Sequence, residues 1–341
     1  MLSMLISVRS TRYARSMFVI LLSLIGHLIL TRLGFYQSTS RRFFTYSSPK
    51  SSYGSQSSGD ASGASYFTYQ VAVAYQAKDR REPIYGNVKL ASLTGEDNYF
   101  IAKKSNNRLI AGVADGVGGW AEHGYDSSAI SRELCNVLKE ISLSDSKTLP
   151  PKKLLDEAYK KIVEEEIVKV GGTTAIIADF GPDGQMKVAN LGDSWCGVFR
   201  DSQLVFETVF QTVAFNAPYQ LAIIPDDVRK TARKRGGSFI ENSPNDADEY
   251  VFQLKPNDII ILATDGVTDN IDRKDMEIFI KDREGINDLQ AATDEFVSKV
   301  AELSKNKMFP SVFSQEVSKL TGKPYLGGKE DDITVVAVKV N

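Results

Sequence analysis

The chain of 341 residues predicts an α+β fold of two packed antiparallel β-sheets flanked by α-helices. Three observations carry that expectation. Short runs rich in Val, Ile and aromatics, bounded by Gly, Pro, Asn or Asp, recur from residue 67 to residue 340. Two of these runs are joined by the turn sequence GPDGQ, and helical patterns group between strands instead of alternating with them, which argues against a βαβ repeat.

The expected strands are 67–76, 108–115, 173–180, 186–193, 195–200, 203–210, 258–265 and 332–340. Each fits the preference of β-branched and aromatic side chains for a pleated surface. Residues 174–180 and 186–190 flank GPDGQ as a hairpin. Helices are expected over 125–141, where Asp126 and Ser127 offer caps, and over 287–306. A third is expected over 149–170, with Pro150 and Pro151 at its entry, Leu154, Leu155, Ala158, Ile162 and Val163 at helical spacing, and Gly171 as its stop.

The formal net charge of −2 gives no basis for a nucleic-acid surface. Cys135 and Cys196 are too few for a disulfide framework and lack CxxC spacing, so both are expected as buried small residues in a reducing compartment. The N-terminus departs from this even balance. Arg9, Arg12, Arg15, Arg32, Arg41, Arg42 and Lys50 precede the first acid, Asp60, among many serines. That composition predicts a mitochondrial presequence over 1–46, cleaved after the arginine pair. Met17–Leu30 is apolar, and 17–36 approaches the ~20 residues that span a bilayer, so the alternative is an uncleaved membrane anchor with membrane association through 17–36. Residues 47–65 read as a Ser/Gly linker, leaving 66–341 as the folded domain.

Three strand-like runs end in aspartate, at Asp115, Asp193 and Asp265, and a fourth begins just after Asp331 and Asp332. One Asp-Gly pair is a turn signal; the repetition says more. Acids at the same end of neighbouring strands converge on one edge, where their repulsion requires cations or protons. An all-oxygen donor set selects magnesium or manganese. The two histidines, His27 and His123, exclude a histidine-built metal site. Two hard cations held ~3.5–4 Å apart lower the pKa of a water and aim it at a phosphoryl group. Neither cysteine lies in a CxxxxxR loop, and no GxxxxGK[ST] phosphate loop is present.

The segments GEDNYF (95–100), VADGVGGW (113–120), GGTTA (171–175), NLGDSW (190–195), LATDGVTDN (262–270) and DDITVV (331–336) resemble, in order and spacing, the metal-dependent protein serine/threonine phosphatases of the PPM or type-2C family. DGVGGW and FNAPYQL (215–221) most resemble its organelle-associated branch. The resemblance covers about 67–341 and implies phosphorylated proteins as substrates, with two Mn²⁺ or Mg²⁺ ions per subunit and a weaker third. By the same resemblance Asp115 bridges both ions, Gly116 offers its carbonyl, Asp265 and Asp331 complete the first site, and Glu96 and Asp97 serve the second. Asp115 and Asp265 would thereby hold the attacking water. Asp193 and Asp269 match the weaker third site, and Asp332 is expected to be structural.

Two positions depart from the family pattern. Val117 stands where many relatives carry histidine, leaving a metal-bound water or His123 as the proton donor, and Ser92 stands where many carry a phosphate-binding arginine, leaving Lys89, Lys103 or Arg108. These losses define the alternative of a non-catalytic phosphoprotein-binding scaffold, against which the intact acids argue. Trp120 is expected as a packing anchor, and 229–250 as a flap near the site.

Overall fold

The computed structural model describes residues 66–80, 90–144, 148–283 and 288–341, without the side chain of Glu122. The expected leader, its 17–36 segment and the linker lie outside the described residues. Tyr66–Val213 and Ala217–Asn341 make up one unit with its own core.

Ten strands form two five-stranded sheets: β1 (Tyr69–Gln76), β2 (Asn98–Lys103), β3 (Leu109–Ala114), β4 (Ala175–Phe180), β5 (Gln185–Leu191), β6 (Trp195–Arg200), β7 (Gln203–Glu207), β8 (Asp248–Gln253), β9 (Ile259–Ala263) and β10 (Ile333–Val340). The first sheet runs β8-β5-β4-β3-β2 and the second β1-β10-β9-β6-β7, every neighbouring pair antiparallel. The helices are α1 (Ala129–Leu143), α2 (Pro151–Glu164), α3 (Asp226–Lys234), α4 (Asp265–Thr268), α5 (Arg273–Lys281), α6 (Leu289–Lys305) and α7 (Val312–Thr321).

Alternation along the strands explains the layering. Val336, Val338 and Val340 of β10 face Ile176, Ala178 and Phe180 of β4 across the sandwich. Their neighbours Ile333 and Val335 turn outward onto Phe296, Val297 and Val300 of α6. On the other side Phe100, Ile110 and Ile177 meet Leu134, Leu138, Leu154 and Ile162 of α1 and α2. Both faces of the central strands are therefore covered, which is why they read as unbroken apolar runs. Each fully buried Ile or Leu adds about 1.5–3 kcal/mol.

Several boundaries differ from expectation. The helix predicted to Gly171 ends at Glu164, because Glu166 adopts a left-handed φ of 51°. This break sends Val168 and Val170 into two different apolar clusters. The 125–141 helix begins only at Ala129, since the Asp126 carboxylate accepts from the Ser128 N–H (3.1 Å) and hydroxyl (2.6 Å) in a preceding turn. The strand expected over 203–210 stops at Glu207. Sequence reading missed β2, β8, α3, α5 and α7; α5 and α7 are capped by Asp272 on the Asp275 N–H (2.9 Å) and Ser311 on the Ser314 N–H (3.1 Å). Cys135 and Cys196 are buried and free, as expected, and burial pushes both thiols up.

Candidate metal centre

Antiparallel register brings the predicted acids to one end of the sandwich. Asn98 at the start of β2 pairs with Ala114 at the end of β3, placing Asp97 and Asp115 side by side in sequence position. Ala175 pairs with Leu191, so Asp193 follows β5 at the same edge. In the second sheet Ala263 pairs with both Trp195 and Val335, which brings the turns carrying Asp193, Asp265 and Asp331 together.

The oxygens of Glu96, Asp331 and Asp332 lie within 4.8 Å of one another. Glu96 Oε1 accepts from the Ser127 hydroxyl (2.6 Å), and Oε2 meets Lys78 Nζ (2.9 Å) and Arg80 Nη2 (2.8 Å). Its carbonyl accepts from the Ser131 hydroxyl (2.5 Å) and the Gly116 N–H (3.1 Å). Asp97 is buried, with Oδ2 accepting from the Thr264 hydroxyl (2.7 Å), a bond that ties the two sheets together. Around Asp115, the carbonyl accepts from the Thr173 hydroxyl and Thr174 N–H (both 2.9 Å), while its N–H donates to Thr174 Oγ1 (3.1 Å). The threonines of GGTTA thus clamp this turn. Lys329 Nζ reaches Asp265 Oδ2 (2.7 Å), Asp331 Oδ2 (3.4 Å) and, more closely, Asp269. Lys78 Nζ also contacts Asp331 Oδ1 (2.8 Å).

Asp332 differs from its neighbour. It is buried, and its oxygens are taken by the N–H groups of Lys78 (2.9 Å) and Glu96 (2.8 Å) and by the Arg80 guanidinium. Gly95 allows this: its φ is +78°, and a Cβ there would stand 2.1 Å from Asp332 Oδ1. Backbone packing also requires a glycine at 116. A Cβ at Gly116 would lie 2.6 Å from the carbonyl oxygens of both Glu96 and Ser127, so backbone packing alone excludes a side chain.

Burial, then the charges of Asp265, Asp97, Asp331 and Asp193, pushes the Asp115 carboxyl well up; burial and Asp332 do the same to Asp97. Burial and Asp265 push Asp193 to about 8, and burial pushes Asp269 to about 6 against the opposing charge of Lys329. Asp331 is pulled down to about 2 because Lys329 and Lys78 outweigh its burial, and Glu96 is lowered because Lys78, Ser127 and Arg80 outweigh its own. Among the described residues the acids of the site outnumber its cations, Lys78, Arg80 and Lys329. Asp193 Oδ1 is buried with no hydrogen-bond partner. An oxygen-only donor set, charge left uncompensated and a buried acceptor left unpaired fit hard divalent cations.

The compensating cations were not legible as site residues. Lys78 and Arg80 follow β1, and Lys329 precedes Asp331 by two positions; that proximity was the available signal. Of the three candidates to replace the missing arginine, two are described, and both stand elsewhere. Lys103 is exposed at the far end of β2 from Asp97, Arg108 pairs with Asp179 (2.7 Å), and Lys89 lies outside the described residues. The Ser92 hydroxyl is bonded to Thr94 Oγ1 (2.7 Å). Val117 packs with Trp120, Val170, Ala222, Ile224, Val228 and Phe239. Trp120 stacks on Phe239 at 5.5 Å, so it anchors the 229–250 segment as packing, while His123 stands exposed against its edge.

Residues 105–341 match the family model described as stage II sporulation protein E (SpoIIE). The chain belongs to the PP2C-type family and is a metal-dependent protein phosphatase. It is 60% identical over 319 residues to "Protein phosphatase 2C homolog 7, mitochondrial" of Saccharomyces cerevisiae, covering 89% of this chain and 93% of that protein. It is 34% identical over 251 residues to "Protein phosphatase PTC7 homolog fig" of Drosophila melanogaster, covering 72% and 77%. Among solved structures, the photosystem II phosphatase PBCP superposes with a TM-score of 0.63 at 26% identity over 80% of this chain and 99% of that one. The serine/threonine phosphatase of S. agalactiae shares the fold, with a TM-score of 0.53 at 15% identity over 80% and 100%.

Proposed function

We propose that the protein hydrolyses phosphoserine and phosphothreonine in mitochondrial proteins, using two Mn²⁺ or Mg²⁺ ions that Asp115 and the Gly116 carbonyl would hold together with Asp265 and Asp331 for the first ion and Glu96 and Asp97 for the second. The observation that carries this reading is the convergence of seven acids, Glu96, Asp97, Asp115, Asp193, Asp265, Asp269 and Asp331, on one end of the sandwich with too few cations of their own. Bound there, the ions supply Lewis acidity toward a phosphoryl oxygen and lower the pKa of a water. The chain's own residues do the rest. Thr173 and Thr174 fix the Asp115 turn, Thr264 fixes Asp97, and Ser127 fixes Glu96. Lys78, between Glu96 and Asp331, meets the substrate phosphate in the role that Ser92 cannot fill. Val117, packed on the Trp120 cluster, offers no proton, so the leaving alkoxide takes one from solvent in the crevice.

The name of the yeast relative supports a mitochondrial location, as does the basic, serine-rich leader. We read 1–46 as a presequence removed on import; a mature N-terminus before residue 17 with resistance to carbonate extraction would establish the anchored form instead. For the activity, a phosphothreonine peptide is incubated with the protein and Mn²⁺. Phosphate release that stops on chelation, with KM rising about tenfold in Lys78→Met at little change in kcat, is the expected result. Phosphopeptide binding without release would replace it with the scaffold reading.

A further inference from the structure

The outer face of the second sheet is not filled to its end. Val336 and Val338 of β10 point into the sandwich, so Val335, Ala337 and Lys339 form the alternate row that faces the helices. Ile261 and Ile259 of β9 lie beside this row, in register with Ala337 and Lys339. Between these side chains and Phe279 and Ile280 of α5, with Ala292 and Phe296 of α6, lies a cavity of about 550 Å³. That volume is within the roughly 300–1,000 Å³ of pockets that take small organic ligands. Its inner wall is apolar and closed: Val335 is 1% exposed, Phe296 4% and Ile261 5%. Asp201 and Asn257, in the turns beside the Lys339 end, are exposed members of the lining, so the cavity opens there.

Lys339 stands at that opening. It is half-buried, and among the described residues its ammonium has neither an ion pair nor a hydrogen bond. The other cation of the lining, Arg283, is engaged: its Nε donates to Glu295 Oε2 (2.8 Å) and its guanidinium lies 5.1 Å from the centre of the Phe279 ring, bracing the wall. Asp201, the carboxylate at the opening, is exposed to solvent that screens it. From Val335 to Lys339 the strand advances about 14 Å, a length that suits a linear chain better than a compact ring. An apolar groove of that length ending in an unpaired ammonium is complementary to an alkyl chain with an anionic head. We propose that this cavity binds a fatty acid, its alkyl chain lying along Val335 and Ala337 beneath Phe296 and its carboxylate on Lys339. The site is separate from the metal centre. Lys339 is joined in register through Ile259 to Phe199, whereas the turns that carry the acids adjoin Ala263 and Trp195 at the other end of the same strands.

Calorimetric titration of the full-length protein with decanoate, octanoate and decanol tests this. The wild type is expected to take up one decanoate per chain. Octanoate should bind about tenfold more weakly for its two missing methylenes, and decanol about tenfold more weakly for want of a charge. Lys339→Met should bring decanoate down to the affinity of decanol and leave decanol itself unchanged. Ala292→Trp, which puts an indole into the cavity, should abolish binding of all three with a native circular dichroism spectrum; where that variant misfolds, Lys339→Met still decides. No saturable uptake by the wild type, uptake that survives Ala292→Trp, or a decanoate affinity that Lys339→Met leaves unchanged would overturn the proposal.

Discussion

Replacing Asp332 by alanine is expected to damage folding before it damages metal binding. The residue is 2% exposed and accepts from the Lys78 N–H (2.9 Å), the Glu96 N–H (2.8 Å) and Arg80 Nη1 (2.8 Å). Removing one partner of a buried ion pair costs about 3–5 kcal/mol, and each stranded backbone donor adds about 1 kcal/mol. Arg80 keeps its contact with Glu96 Oε2 at 2.8 Å, which offsets part of this. The expected loss for Asp332→Ala is therefore about 4–6 kcal/mol. Asp332→Asn retains an oxygen for the Glu96 N–H but turns an amide NH2 toward the Lys78 N–H and Arg80 Nη1, which both need an acceptor, so a loss of about 1–3 kcal/mol is expected. Asp331→Asn should do the reverse: its carboxylate, held near 2 by Lys329 and Lys78, is a proposed ligand, and its loss lowers Mn²⁺ affinity more than stability. Urea unfolding of the metal-free protein and Mn²⁺ titration separate the two effects. Wild-type stability in Asp332→Ala, or lost Mn²⁺ binding in an Asp332→Asn variant of unchanged stability, would refute the reasoning.

Metal-free protein should lose stability as pH rises. The folded pKa values of about 8 for Asp193 and about 6 for Asp269 lie above the ordinary 3.8, so the folded chain binds more protons than the unfolded one between these limits. Its melting temperature is expected to be higher near pH 5 than near pH 8, and saturating Mn²⁺ should shrink the gap; a rising profile in chelator would contradict this. Trp120→Ala empties a site that is 7% exposed and unstacks Phe239, at a cost of about 3–5 kcal/mol. Proteolysis within 229–250 should then quicken, and unchanged cleavage would show that Trp120 does not anchor that segment. Val117→His is expected to add a limb near the imidazole pKa of about 6.5 to the pH profile of kcat; an unchanged profile would show that a donor there is immaterial.

The sandwich was legible where strands are covered on both faces. β10 reads as an apolar run because every position except Lys339 is buried. β8 was not, because its pattern of exposed and half-buried positions is mostly polar to the eye. Of the helices between β9 and β10, α6 was legible, while α5 and α7 were obscured by their polarity, their caps Asp272 and Ser311 standing in sequence without an apolar stripe strong enough to draw attention. The acids of the site could be found because they share one position relative to strand ends. Their cations could not: Lys78, Arg80 and Lys329 belong to an even charge balance, and only the meeting of β1, the Gly95 turn and the loop before β10 gives them partners. The part played by Ser127, in the turn before α1, and Ser131, within it, remained silent for the same reason, since a serine becomes a cradle for Glu96 only through tertiary packing.

Asp115→Asn tests the account most directly, because the turn clamped by Thr173 and Thr174 survives the change while the carboxylate at the meeting point of the acids is lost. Phosphate release from a phosphothreonine peptide is measured at saturating Mn²⁺, with circular dichroism as the control for folding. The expected result is a native spectrum with release reduced by more than about a hundredfold, beyond the roughly 10–100-fold effect of residues that only support a ligand. Release within a few-fold of wild type would contradict the claim that this cluster is the metal centre of the enzyme.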